Sequence, residues 1–129
     1  MADFENNAFF WQKIDTLYLS SKLEIIREKG SKHPEFGNLV YPVEYGRLKD
    51  TSTSDNEGIM VFKGSEKSSS VSAIIIAADI LKKDLQAKLL IGCSKDDEDK
   101  ILRFLNQTDY QKTILVRRGQ EIPSWGLTD

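Results

Sequence analysis

The sequence predicts a mainly β domain with flanking helices (α+β), its strands forming one small five-stranded barrel, closed or partly open. Three observations carry that expectation. Short runs rich in Val, Ile and Leu recur between residues 22 and 92, separated by stretches of Ser, Gly, Asn and Pro. One amphipathic helical pattern precedes them at residues 8–20, and a second follows at 94–106. The chain has 129 residues, enough for one core but not two, so residues 1–129 read as a single domain.

Taken in order, Phe10, Ile14, Leu17 and Tyr18 recur on one face of the first helix. The neighbouring Phe9, Phe10 and Trp11 form a lid on the core or an oligomer contact. Lys22, Glu24 and Ile26 then alternate with Leu23 and Ile25, so a strand here sends the two sets to opposite faces. Residues 28–38 hold Gly, Ser, Pro and Asn without a period and read as a loop, with His33 as an exposed or structural residue. Residues 39–47 continue the sheet, with Pro42 confined to an edge or bulge because it has no N–H to donate. A strand at 59–64 leads through a Ser/Lys-rich turn at 65–70 into 71–80, whose Val, Ile and Ala suit a central buried strand.

Residues 82–86 make a turn before an apolar strand at 87–93, ending in Cys93, the only cysteine, read as a small buried residue. Ser94 and Asp97 have capping-box spacing, and the acidic residues 96–99 suit the positive end of a helix dipole. That structural cause is sufficient, so no catalysis is assigned to them. Ile101, Leu102 and Leu105 form the buried stripe of this helix, with Phe104 beside it. Residues 113–118 form a closing strand and 119–129 a tail.

Composition narrows the function classes. The formal net charge is −2 and the pI about 5.5, whereas nucleic-acid binders carry a strongly basic face, so no nucleic-acid partner is expected. No apolar run is long enough to cross a bilayer, and the first residues lack the layout of a secretion signal; a cytoplasmic protein with no membrane contact is expected. A local phosphate site remains compatible with this balance, since Lys22, Arg27, Lys29, Lys32, Arg47, Lys49 and Lys88 could converge.

The most informative stretch is Tyr41-Pro42-Val43-Glu44-Tyr45-Gly46, followed by Asp55-Asn56-Glu57-Gly58 and the apolar run from Ile59. Pro42 keeps Tyr41 extended, and Gly46 lets the backbone come close to whatever the tyrosines face. Carboxylates on a strand-held loop can grip a hard divalent cation, and the same residues also make an ordinary polar turn. This pattern resembles the soluble inorganic pyrophosphatases, which carry Tyr-Pro-x-x-Tyr-Gly and then an Asp-x-Asp-x-x-Asp loop. The resemblance covers residues 22–92. It extends to a shortened bacterial branch through Lys29-Gly30-Ser31-Lys32-His33-Pro34.

What the resemblance implies is an OB-like, pyrophosphatase-like barrel performing metal-assisted hydrolysis of pyrophosphate or a related phosphoanhydride. By it, Asp55, Glu57 and Asp84 are the metal ligands, with Asp79 a further candidate, and the metal is magnesium, with manganese an alternative. Glu24, Tyr45 and Asp55 take the catalytic roles, and Lys22, Tyr41 and Lys88 hold phosphate. Arg27 or Lys32 stands in for an arginine-bearing hairpin that this chain is too short to contain, and Tyr110 and Lys112 resemble a late Tyr-Lys pair. Relatives form dimers or hexamers, which implies a homo-oligomer. Two positions depart from the pattern: Met60 falls where the third loop aspartate belongs, and Gln86 replaces another acid. A thioether cannot hold magnesium and an uncharged amide is a poor ligand for it. The alternative is therefore a non-catalytic barrel of the same kind that binds a phosphorylated ligand or a protein partner. An oligonucleotide-binding barrel is a third class, opposed by the acidic pI and the few strand-face aromatics.

Overall fold

Asn7 starts the first helix, α1 (Ala8–Leu19), because its side-chain oxygen accepts from the backbone N–H groups of Phe9 and Phe10. This and all that follows comes from a computed structural model, which describes residues 6–53, 56–68 and 70–118. Six strands follow: β1 (Lys22–Arg27), β2 (Glu44–Lys49), β3 (Met60–Lys63), β4 (Val71–Asp79), β5 (Asp84–Ile91) and β6 (Gln111–Arg117). The second helix, α2 (Lys95–Leu105), precedes β6. They form one sheet in the order β1-β2-β3-β5-β4-β6, antiparallel except where β3 runs parallel to β5.

The expectation of a mainly β fold with flanking helices holds, and the partly open alternative is the one realised. The sheet has six strands and is not closed, since β1 and β6 lie at opposite edges with four strands between them. The extra strand is β6, which pairs along β4 from Ala73↔Arg117 to Asp79↔Gln111. Because β4 is flanked by β5 and β6, it lies second from the edge, and β3 and β5 hold the centre.

The sheet is covered on both faces, giving two apolar clusters where a single core was expected. On one face α1 brings Trp11, Ile14 and Tyr18 against Leu48, Val61, Ile74 and Leu89. On the other, α2 brings Ile101, Phe104 and Leu105 against Phe62, Ala73, Ile75 and Leu90, together with Leu39, Tyr41 and Val43 from the long β1–β2 connection. Strands buried on both faces need apolar residues at every position, which is why β4 reads as a continuous run instead of an alternation. Phe104 belongs to the buried stripe with Ile101 and Leu105, while Leu102 lies at its margin.

Residues 39–43 do not join the main sheet. Pro42 removes one donor, and the flanking groups pair instead with the segment before them: Gly30 N–H with Tyr41 C=O, Tyr41 N–H with Ser31 C=O, and His33 N–H with Leu39 C=O. The chain thereby folds back as a flap over one sheet face, and a Lys32↔Val40 bridge closes it. Gly46 also differs from expectation. A Cβ there would stand 2.4 Å from the Glu24 carbonyl oxygen, so the close approach is to β1 and not to the tyrosines.

The capping box of α2 forms as the spacing predicts, with Asp97 N–H bonded to Ser94 Oγ and Ser94 N–H to Asp97 Oδ2. Asp97 also accepts from the backbone N–H and hydroxyl of Ser65, at 3.0 and 2.8 Å, so one carboxylate ties α2 to the loop after β3. Burial pushes its pKa up, but the hydrogen bonds from Ser65 and Ser94 together outweigh this and hold it below the usual range. Its contribution is present above the unfolded-state carboxylate pKa and is lost as pH falls through the lower folded-state value. Asp97→Ala is expected to lower unfolding free energy by about 1–3 kcal/mol, since several donors lose one acceptor. Urea denaturation at pH 7 and pH 3 checks this: the difference between wild type and variant should shrink at the lower pH.

Candidate functional site

The site is built where the bulge of β1 meets the flap. Ile25 pairs with Gly46, but the next pair is Arg27 with Tyr45, so Ile26 is the extra residue. Cross-strand partners share a face, so the bulge turns Arg27 onto the same side as Tyr45. Arg47 lies two residues further along β2 on that side, opposite Glu24. The flap then closes over this corner and encloses a cavity of about 390 Å³, lined by Arg27, Arg47, Tyr41, Tyr45 and Met60 among others.

An aromatic column forms its wall. Tyr41 stacks on His33 at 5.9 Å and on Tyr45 at 5.4 Å, and Tyr45 packs on Phe62 at 4.7 Å. Burial raises the Tyr41 pKa, as does Tyr45, while a side-chain hydrogen bond with Arg27 works the other way; the net shift is upward, so its hydroxyl stays protonated and can donate. Lys88 Nζ donates to Tyr45 Oη at 2.9 Å and to Gln86 Oε1 at 3.5 Å, and lies 5.3 Å from the Tyr45 ring centre. A phenol that accepts from an ammonium still has its own hydrogen to offer.

The remaining sequence candidates fall in different places. Glu24 lies on the same face as Tyr45, where it accepts from the cavity-lining Arg47 at 3.0 Å and stands 4.0 Å from Lys49. Lys22 is exposed at the far end of β1, opposite Lys49, whereas Tyr45 faces the other end of the strand. Glu57 lines the cavity with Tyr41 and Tyr45. Asp55 lies outside the described residues. Asp84 is paired with Asp79 at the tip of the β4–β5 hairpin and accepts from Gln86 Nε2 at 3.2 Å. Asp79 accepts from the N–H groups of Leu81 and Lys82, which makes it the cap of that hairpin turn.

The described residues that line the cavity do not suit a hard divalent ion. Among the described residues no three His, Cys, Asp or Glu side chains are grouped to hold a metal. The cavity itself is lined by two carboxylates, Glu35 and Glu57, and by three cations, Arg27, Arg47 and Lys82. Magnesium and calcium take several oxygen ligands, and cations facing the same space oppose them. A phosphate group is the better match, because arginine forks and hydroxyl donors complement its oxygens.

Sequence reasoning missed Lys82, which the Asp79 turn swings to the cavity, and Glu35 of the flap, while His33, expected to be exposed or structural, lines the cavity as well. Only the Asp-x-x-Lys spacing of the turn hinted at the first. Cys93 behaves as expected of a buried small residue: burial, with Asp97 and Glu98 nearby, pushes its pKa up to about 12.

No protein-family model matches the chain, and no curated protein matches it. Among solved structures, it is similar to an inorganic pyrophosphatase from Helicobacter pylori at 16% identity and a TM-score of 0.49, over 75% of this chain and 81% of that one. An inorganic pyrophosphatase from Coxiella burnetii aligns at 15% identity and 0.49, over 74% and 81%. An inorganic phosphatase from Anaplasma phagocytophilum aligns at 13% and 0.48, over 75% and 81%. No helix of the described residues is long and apolar enough to cross a membrane.

His33 holds the flap in shape. Its Nδ1 accepts from the N–H groups of Glu35 and Phe36 at 3.0 and 3.2 Å, which requires that nitrogen to be unprotonated. Burial lowers its pKa, Glu35 opposes this, and Arg27 and Lys82 add to the lowering. The stability it contributes is therefore full above the unfolded-state pKa near 6.5 and is lost as pH falls through the lower folded value. His33→Ala is expected to cost about 1–2 kcal/mol at pH 7, with His33→Asn recovering part because an Asn oxygen can accept from the same turn. An NMR titration of the imidazole is expected to give a midpoint below 6.5.

Proposed function

We propose that the cavity between the flap and the β1–β2 corner binds a small phosphorylated molecule, a phosphoanhydride such as pyrophosphate. The observation that carries this reading is the β1 bulge, which sets Arg27 beside Tyr41 and Tyr45 with Arg47 on the same face. Each residue then has a role. Arg27 and Arg47 supply planar N–H forks to phosphate oxygens, Lys82 adds charge at the rim, and the Tyr41 and Tyr45 hydroxyls donate to the remaining oxygens. Lys88 holds the Tyr45 hydroxyl in place from below. In this reading phosphate is neutralised by side-chain cations, and Met60 sits where the resemblance to pyrophosphatases puts a metal-binding carboxylate.

A second reading is favoured by one specific observation, that Glu57 lines the same cavity as Tyr45 and Arg27. It is metal-assisted hydrolysis of the bound phosphoanhydride with magnesium or manganese. Asp55, Glu57 and Asp84 would be the ligands, and Glu24, Tyr45 and Lys22 would take the further roles that the resemblance implies.

Calorimetric titration with pyrophosphate, with and without Mg²⁺, separates the two, alongside a phosphate-release assay with Mg²⁺ or Mn²⁺. Binding is expected without added metal, and Arg27→Ala and Arg47→Ala should each weaken it by about tenfold or more, the loss of a charge-assisted hydrogen-bonded pair. No phosphate release is expected. Metal-dependent release abolished by Glu57→Gln would establish the second reading in its place.

A further inference from the structure

We infer that the phosphorylated ligand carries an apolar chain, and that this chain lies in the groove between α1 and β5, reached from the phosphate cavity past Met60. The inference rests on the phosphate-binding reading above and adds the class of molecule. Its basis is an unequal pair of strands. β3 begins at Met60, opposite Lys88, whereas β5 begins four residues earlier at Asp84. Among the described residues, β5 therefore has no strand neighbour on its β3 side over residues 84–87. Strand pairing thus stops at Met60, and Ser52, Thr53, Gly58 and Ile59 of the preceding loop border the groove there.

The groove lies beneath α1 and is a cavity of about 390 Å³. That is within the range of roughly 300–1,000 Å³ of small-molecule sites. Phe10, Ile14 and Leu17 of α1 form one wall, and Ile59, Leu85 and Ala87 form the other. Those strand residues belong to the α1 face of the sheet, yet Met60 and Gln86, which alternate onto the opposite face with Lys88, line the groove as well. Met60 also lines the phosphate cavity, so the two spaces share this one side chain as their common wall.

The chemistry of that wall identifies the ligand. A carboxylate at this position would put charge between the cavity and the groove and repel both a phosphate and an apolar chain. A thioether does neither, and its unbranched, flexible stem lets a chain pass over it. The groove residues remain accessible: Phe10 is 47% and Leu85 70% exposed, which a monomer leaves uncovered at a cost in apolar hydration. A single molecule with a phosphorylated head between the arginines and a chain of several carbons over Met60 would satisfy both spaces.

The test compares three probes by titration calorimetry at concentrations below micelle formation: inorganic pyrophosphate, geranyl diphosphate and geraniol. Geranyl diphosphate should bind at least about tenfold tighter than pyrophosphate, because burying even two methylene groups is worth that factor. Ala87→Trp, which fills the groove on an exposed position, should remove this gain while leaving pyrophosphate binding unchanged, with its melting temperature confirming that it folds. Equal affinity for pyrophosphate and geranyl diphosphate overturns the apolar-chain inference and leaves the phosphate reading intact. A gain that survives Ala87→Trp also overturns it, since the chain then lies elsewhere. Failure of pyrophosphate to bind, whether or not geraniol does, overturns the phosphate reading and the inference with it.

Discussion

The parallel contact between β3 and β5 is the constraint from which the rest of this structure follows. Because β5 lies between β3 and β4, the chain leaving β3 must pass over the end of β5 before returning as β4. The crossing is tight. A Cβ on Gly64 would come within 2.5 Å of the Gly92 carbonyl oxygen and 2.6 Å of an Asp97 carboxylate oxygen. Glycine at that place, together with the Asp97 hydrogen bonds to Ser65, lets the crossover and the start of α2 occupy the same corner. Once β5 is inserted there, the central strands have neighbours on both sides and must be covered on both faces, which calls for a helix on each.

The same topology distributes the charged side chains. Asp15 is paired with Arg118, whose guanidinium also lies 5.5 Å from the Trp11 ring centre, fastening α1 to the end of β6. Glu98 is paired with Arg117 and fastens α2 to the same strand. Asp79 caps a turn, Asp97 accepts from the Ser94 N–H in the capping box of α2, and Glu24 faces Arg47. Apart from Glu24, which pairs with an arginine of the cavity, these acids serve the architecture, and the cavity of a chain of net charge −2 is lined by three cations and two carboxylates. Sign and number of charges in a cleft, and not the net charge of the chain, decide which ligands enter it.

Much of this was legible beforehand wherever the cause is local. Ser94 and Asp97 announce a capping box because both partners lie within one turn of helix. The alternation of Lys22, Glu24 and Ile26 announces a strand, and the run after Val71 announces one buried on both faces. The site was less legible. Arg27 was one of seven basic residues that could have converged, and only the bulge at Ile26 selects it over Lys22 at the other end of the same strand. Lys82 was hidden in a turn, and His33 showed no sign that its ring nitrogen would organise the flap. The resemblance to pyrophosphatases implied Asp84 and Glu57 as ligands together with Asp55, yet the hairpin carries Asp84 to its tip beside Asp79, while Glu57 lines the cavity.

By itself the sequence determined the element types, their order, the cap of the second helix and the presence of a tyrosine-proline segment joined to a charged loop. All of these depend on interactions between residues a few positions apart, where periodicity and side-chain chemistry suffice. Only the tertiary structure decided that the sheet stays open with six strands, that residues 39–43 leave it to become a flap, and that Arg27 faces Tyr45. Those outcomes turn on strand register and on which strand inserts between which others. A shift of one residue reverses the face of every side chain beyond it, and no local pattern records such a shift.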